Sequence, residues 1–238
     1  MPGSTTIAAV EPFQVAWTAD TPPGGRGAFV RITTGDGLVG YGEASPMQGG
    51  VHSLGIIARD LAPALIGADP LDHAVLLDTL HHRCIKLGPE GALTGALAAL
   101  DIALWDLKGR FLGQPVYKLL GGAWRTSMPC YASVGGNAAR RELFAPMLAP
   151  TAARRVAVVV GVVARRVAKE KPAAVKIRFD GDRTRENVDI PGDIAKAKAV
   201  RRALGDGFVL GFDANNGYSV GGAIRVGRAL EELGYTWF

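Results

Sequence analysis

Two short apolar runs, each ending in polar residues, constrain this chain most. Phe208-Val209-Leu210-Gly211-Phe212 stops at Asp213, ahead of Ala214-Asn215-Asn216-Gly217, and Ala173-Ala174-Val175 leads into Lys176-Ile177-Arg178. A buried parallel strand reads as such a run, and its carboxyl end delivers polar side chains to a rim. Alternation with a period of two puts Lys176 and Arg178 on one face of their strand. A helical segment separates the two runs. Strand, helix and strand, with chemistry at both carboxyl ends, describe a βαβ unit of an α/β barrel or a doubly wound sheet.

With 238 residues and 48% hydrophobic content, the chain can bury a good core as one large domain or two modest ones. Its 27 basic and 22 acidic residues leave a net charge of +5, but they are scattered. A modest excess of that kind solvates a surface and argues against a nucleic-acid partner. Cys84 and Cys130 are the only cysteines, and neither sits in a Cys-x-x-Cys motif, so a reducing cytoplasm is the expected compartment. Met1 to Val10 lacks the basic start and apolar core of a secretory signal. The most apolar run, Val156 to Ala164, is flanked by arginine pairs. It falls far short of the roughly 20 residues that span a bilayer. It predicts the buried face of a barrel helix and no membrane partner.

From the start, Phe13 to Thr18, Ala28 to Thr34 and Leu38 to Ala44 read as strands, and Thr34-Gly35-Asp36-Gly37 turns the last two into a hairpin. The Gly- and Pro-rich stretches around Thr21 to Gly27 and Ser45 to Gly50 read as surface loops, which either close over a ligand or merely connect. A helix is predicted over Ala92 to Phe111, where Leu93, Leu97, Leu100, Leu104 and Leu107 draw one apolar stripe. Asp101, Asp106 and Lys108 interrupt it and read as solvated or paired charges. Gly113-Gln114-Pro115 stops that helix, and Leu119-Leu120-Gly121-Gly122 ends a short one. A domain boundary follows, dividing the chain into 1–125 and 126–238. Beyond it strands and helices alternate: a strand over Met128 to Val134, a helix within Arg140 to Glu170, the strand carrying Lys176, a helix over Asp193 to Leu204 and the strand reaching Asp213. A helix over Gly221 to Leu233 follows, and a fourth strand opens at Tyr235.

Five segments in order, Gly40-Tyr41-Gly42-Glu43-Ala44, the helix Ala99 to Gly109, Leu119-Leu120-Gly121-Gly122, Val175-Lys176-Ile177-Arg178 and Asp213-Ala214-Asn215, resemble the enolase superfamily. They look most like its mandelate racemase and muconate lactonizing enzyme branch. The resemblance implies an α+β capping domain followed by an α/β (β/α)-barrel, of which this chain carries the first part. It also makes the two Gly-rich loops candidate specificity loops. It implies abstraction of a proton next to a carboxylate, with a divalent cation, usually Mg²⁺, stabilising the enolate. A hard cation held by carboxylates neutralises such charge as it forms.

On that resemblance Asp213 is the first of three carboxylate metal ligands, although a lone acid at a strand end is otherwise a helix cap or turn residue. Asn215 is a candidate substrate-binding residue, and Lys176 matches the lysine that polarises the substrate carboxylate. The family's usual base, the second lysine of Lys-x-Lys, is here Arg178. A guanidinium stays protonated above pH 12, so it binds a carboxylate or hydroxyl well and abstracts a proton poorly. That departure favours a sugar-acid dehydratase using one base over a two-base racemase or epimerase, with a cycloisomerase as a further alternative. Full-length relatives are expected to be homo-oligomeric.

The segment 126–238 is under half of the about 250 residues of a (β/α)₈ barrel. The resemblance implies that the remaining carboxylates and a histidine base belong to later strands, while His52, His73, His81 and His82 all fall in the part matched to the capping domain. The chain is therefore expected to be an incomplete family member that binds Mg²⁺ weakly or not at all, and the competing reading is a non-catalytic fragment.

Overall fold

The computed structural model describes residues 5–17, 25–45, 50–88, 90–134, 152–179 and 185–238. Most of both Gly-rich loops, and the start predicted for the helix within Arg140 to Glu170, lie outside them. The chain divides into two compact units, Met1–Thr126 and Ser127–Phe238.

In the first unit β1 (Ile7–Trp17), β2 (Gly25–Thr34) and β3 (Val39–Ser45) form an antiparallel meander in that order. Helix α1 (Gly50–Ile56) runs on through a wider π-type turn, Ile57–Leu61, to Ala62–Leu65. Helices α2 (His73–Cys84), α3 (Ala92–Leu112) and the short α4 (Val116–Leu119) follow. α3 lies on the sheet, its buried Leu100, Leu104 and Leu107 sharing one core with Val30 and Ile32 of β2 and Ile57 and Leu61. Leu97, predicted in the stripe, is only partly buried, and Ala96, Ala99 and Ala103 take the closest positions. The reason is a close approach between backbones. A Cβ at Gly42 would lie 1.9 Å from the Ala99 carbonyl oxygen, and one at Gly40 would lie 2.3 Å from that of Ala103. Only glycine on β3 facing alanine on α3 permits that spacing.

The charges that interrupt the stripe serve this packing. Asp106 accepts the Tyr41 N–H at the sheet edge (2.9 Å) and pairs with Arg110 (3.1 Å). Asp101 lies 2.5 Å from His73 Nε2, and Lys108 sits over the Trp105 ring.

The second unit holds a parallel sheet of β4 (Tyr131–Val134), β5 (Ala174–Arg178) and β6 (Val209–Asp213). β4 starts three residues later than predicted. Helices α5 (Ala152–Glu170), α6 (Ile190–Leu204) and α7 (Val220–Glu232) alternate with the strands. α6 begins three residues before the predicted Asp193, because Asp189 caps it, accepting the Gly192 N–H at 3.0 Å with Pro191 in the first turn. One face of the sheet, with Ala132, Val134, Val175, Ile177, Leu210 and Phe212, is buried against Val159, Val163, Ala197, Val200, Val226 and Leu230 of the helices. By alternation the other face carries Tyr131, Ser133, Lys176, Arg178, Gly211 and Asp213.

A fourth strand opens beside β6: Thr236 donates to the Leu210 carbonyl (2.8 Å), Phe212 donates to the Trp237 carbonyl (3.1 Å), and Gly211 and Trp237 bridge in parallel. This unit is the first part of a (β/α)-barrel and follows an N-terminal α+β domain in sequence. Among the described residues no helix is long and apolar enough to cross a membrane.

Candidate active site

Side chains from two strands meet at the carboxyl ends of β5 and β6. The parallel register pairs Arg178 with Asp213, and Lys176 projects from the same face two residues upstream. Asp213 Oδ2 lies 2.8 Å from Lys176 Nζ and 3.3 Å from Arg178 Nε. Asp213 Oδ1 accepts the backbone N–H of Asn215 at 3.0 Å. Asn215 has left-handed backbone, φ 46°, which asparagine tolerates better than most residues. The four residues singled out in the sequence therefore come together, three through side chains and Asn215 through its N–H.

The electrostatics follow from this geometry. Burial pushes the Asp213 carboxyl up, but the Lys176 hydrogen bond, the Asn215 N–H and the charges of Lys176 and Arg178 together outweigh it. Its pKa consequently lies below the ordinary carboxylate range. The Lys176, Arg178 and Asp213 side chains are only 12%, 18% and 26% exposed, so their charges are weakly screened.

An aromatic layer that the sequence did not reveal adjoins the cluster. Lys176 Nζ stands 5.7 Å from the Tyr131 ring centroid, and that ring lies 5.6 Å from the Trp237 ring. Gly211 admits the indole, since a Cβ there would come within 2.0 Å of it.

Two cations fixed beside a carboxylate form a rim suited to binding an anion and steadying negative charge. They form a poor proton acceptor, because Arg178 is permanently protonated and the Asp213 carboxylate is a weakened base. Asp213 is a hard oxygen donor of the kind Mg²⁺ takes, but Mg²⁺ demands a near-octahedral set. No group of three or more His, Cys, Asp or Glu among the described residues could hold a metal ion. These residues do not by themselves fit a magnesium site.

Residues 4–121 match the mandelate racemase / muconate lactonizing enzyme N-terminal domain, and residues 159–238 match the enolase C-terminal domain-like family. The chain belongs to the mandelate racemase and muconate lactonizing enzyme family. Among solved structures it is similar to a mandelate racemase/muconate lactonizing protein from Paracoccus denitrificans complexed with magnesium. The two are 65% identical with a TM-score of 0.82, over 99% of this chain and 58% of that one. It is 34% identical to a D-galactonate dehydratase family member of Streptomyces bingchenggensis, over 91% of this chain and 55% of the relative. It is 32% identical to a D-galactarolactone cycloisomerase of Agrobacterium fabrum, over 88% of this chain and 50% of the relative. The chain spans about half the length of the curated relatives it matches.

Proposed function

We propose that this chain contributes the capping domain and the first barrel strands of an enzyme that removes a proton α to a carboxylate and dehydrates a sugar acid. Mg²⁺ is its expected cofactor. The observation that carries this reading is the convergence of Lys176 and Arg178 on Asp213 at one strand rim. In the proposed roles, Lys176 and Arg178 orient the substrate carboxylate and oppose the negative charge that grows on it as the α-proton leaves. Asn215 contacts the substrate beside them. In the complete barrel Asp213 would be one oxygen donor among several to a magnesium ion, which would supply neutralisation of the same charge.

A guanidinium stays protonated at neutral pH and cannot accept the α-proton, so the base belongs to another part of the barrel. One base suffices to take the α-proton while the β-hydroxyl leaves as water, whereas racemisation needs a base on each face. The sugar-acid dehydratases among the relatives support the substrate class. The cycloisomerases support a second reading, in which the same proton leaves and no water is lost. The free thiols Cys84 and Cys130 suit a reducing cytoplasm, which we propose as the compartment, and the complete enzyme is expected to form a homo-oligomer.

The test joins this chain to the remaining barrel strands of the Paracoccus denitrificans homologue and offers the product aldonic and aldaric acids with Mg²⁺. Mass loss of one water supports dehydration. Epimerisation of these acids at constant mass overturns it in favour of a racemase or epimerase, and isomerisation only of a galactarolactone added to the panel overturns it in favour of the cycloisomerase. Turnover by the isolated 238-residue chain would defeat the reading of that chain as a non-catalytic fragment.

A further inference from the structure

Behind the candidate site, on the helix-covered side of the sheet, lies a charged group that the proposed chemistry does not use. Lys196 and Asp193 of α6 are each 1% exposed. Lys196 Nζ donates to Asp193 Oδ1 at 2.9 Å and to the backbone carbonyl of Arg178. Asp193 Oδ2 accepts the Tyr218 hydroxyl at 2.6 Å, and Lys196 Nζ stands 5.6 Å from the Phe212 ring centroid. The network thus touches the last residue of β5, the core of β6 and the loop that follows Asp213.

A fully buried Lys–Asp pair is a poor device for stability alone, because desolvation offsets most of its attraction and apolar residues of equal volume often serve as well. The third partner explains its presence. Arg178 is the last residue of β5, where the ladder runs out, and its carbonyl accepts from Lys196. The N–H on the other side of the same peptide, that of Phe179, donates to the Asp213 carbonyl at 3.1 Å. One peptide plane is therefore held at both ends, and it carries the residue whose guanidinium meets Asp213.

We propose that Lys196, held by Asp193 and Tyr218, is a positioning residue that fixes the Arg178 peptide from behind the sheet and so sets the Arg178 guanidinium against Asp213. The proposal rests on the reading of Lys176, Arg178 and Asp213 as the active cluster. Geometry of this kind matters there, since misplacing a reacting or orienting group by about 1 Å can cost roughly a hundredfold in rate.

The experiment uses the full 238-residue chain and measures hydrogen exchange at the Arg178 Nε–H by NMR, the resonance being assigned by its loss in Arg178→Lys. The main variant, Asp193→Leu with Lys196→Met, removes both charges and keeps the volume, so exchange at the β5 and β6 amides of Val175 and Leu210 should stay near its original rate. The expected result is Arg178 Nε–H exchange faster by about tenfold or more, because that nitrogen is buried beside Asp213 and its shielding from water depends on where the guanidinium is held. Unchanged exchange at Arg178, or a rise only in proportion to the Val175 and Leu210 amides, overturns the proposal and leaves Lys196 a packing element. Should the double variant not fold, Tyr218→Phe removes only the hydroxyl on Asp193. A selective rise at Arg178 supports the proposal, and no selective change overturns it. This readout reports geometry and not turnover, so it can fail while the dehydratase reading stands, and the substrate panel can fail while it stands.

Discussion

Arg178 and Asp213 face each other across β5 and β6 in parallel register, with Nε 3.3 Å from Oδ2, while Lys176 reaches the same oxygen from two residues upstream. Two cations on one strand thus share a single carboxylate on the next, and the pairing predicts how the second unit responds to acid.

The Asp213 pKa is lower folded than unfolded, so its pairing stabilises the fold above the unfolded value of about 3.9 and loses that contribution as pH falls through the folded value. Asp213→Asn should therefore be less stable than the parent at pH 7, and the gap should close below about pH 4. Urea unfolding across pH 2.5 to 7 checks this, and a gap independent of pH would contradict it.

Arg201 is a structural counterpart far from the rim. Its buried guanidinium donates to the carbonyls of Leu233, Gly205, Phe208 and Gly234, each at 2.8 Å, tying the end of α6 to the start of β6 and the end of α7. Arg201→Met should destabilise the second unit by about 2–4 kcal/mol, because buried acceptors lose a charged donor. Arg201→Lys should recover only part of it, since one ammonium cannot span four carbonyls. Denaturant titration of both variants decides.

In the first unit, Gly42→Ala drives a methyl into the Ala99 carbonyl at 1.9 Å, with backbone on both sides. The expected loss is about 1–3 kcal/mol or more, from lifting α3 off β3. Exchange of the Val30 and Ile32 amides should accelerate, while that of Val175 and Leu210 should not.

Gly211→Ala should expel Trp237 from its seat, since the new methyl would stand 2.0 Å from the indole. The Thr236 amide, which donates to Leu210, should then lose its protection from exchange, and the β5–β6 ladder should keep its own. Retained protection at Thr236 would show that the fourth strand pairs without the indole seat.

Much of this was legible in the sequence, because short apolar runs with polar ends mark parallel strands and period two assigns Lys176 and Arg178 to one face. Their meeting at Asp213 was not, because strand register is set by packing between distant segments. Lys196 was hidden for a similar reason. On a helix carrying several charges it reads as solvated, and only tertiary structure shows it buried beneath a strand end. The leucine stripe on α3 misjudged Leu97, since the glycines of β3 bring the alanine face nearest the sheet. The α6 start was available in Asp189 and Pro191, a cap and first-turn proline that the apolar spacing alone passes over.

The most direct measurement is the effect of Lys176→Met and Asp213→Asn on kcat/KM for an aldonic or aldaric acid, using this chain completed with the remaining barrel strands. The account predicts loss of water from the substrate by the parent form and at least about a hundredfold loss of kcat/KM in each variant, as expected on removing a group that stabilises developing charge. Dehydration that proceeds unimpaired in either variant would contradict the assignment of this strand rim as the active cluster.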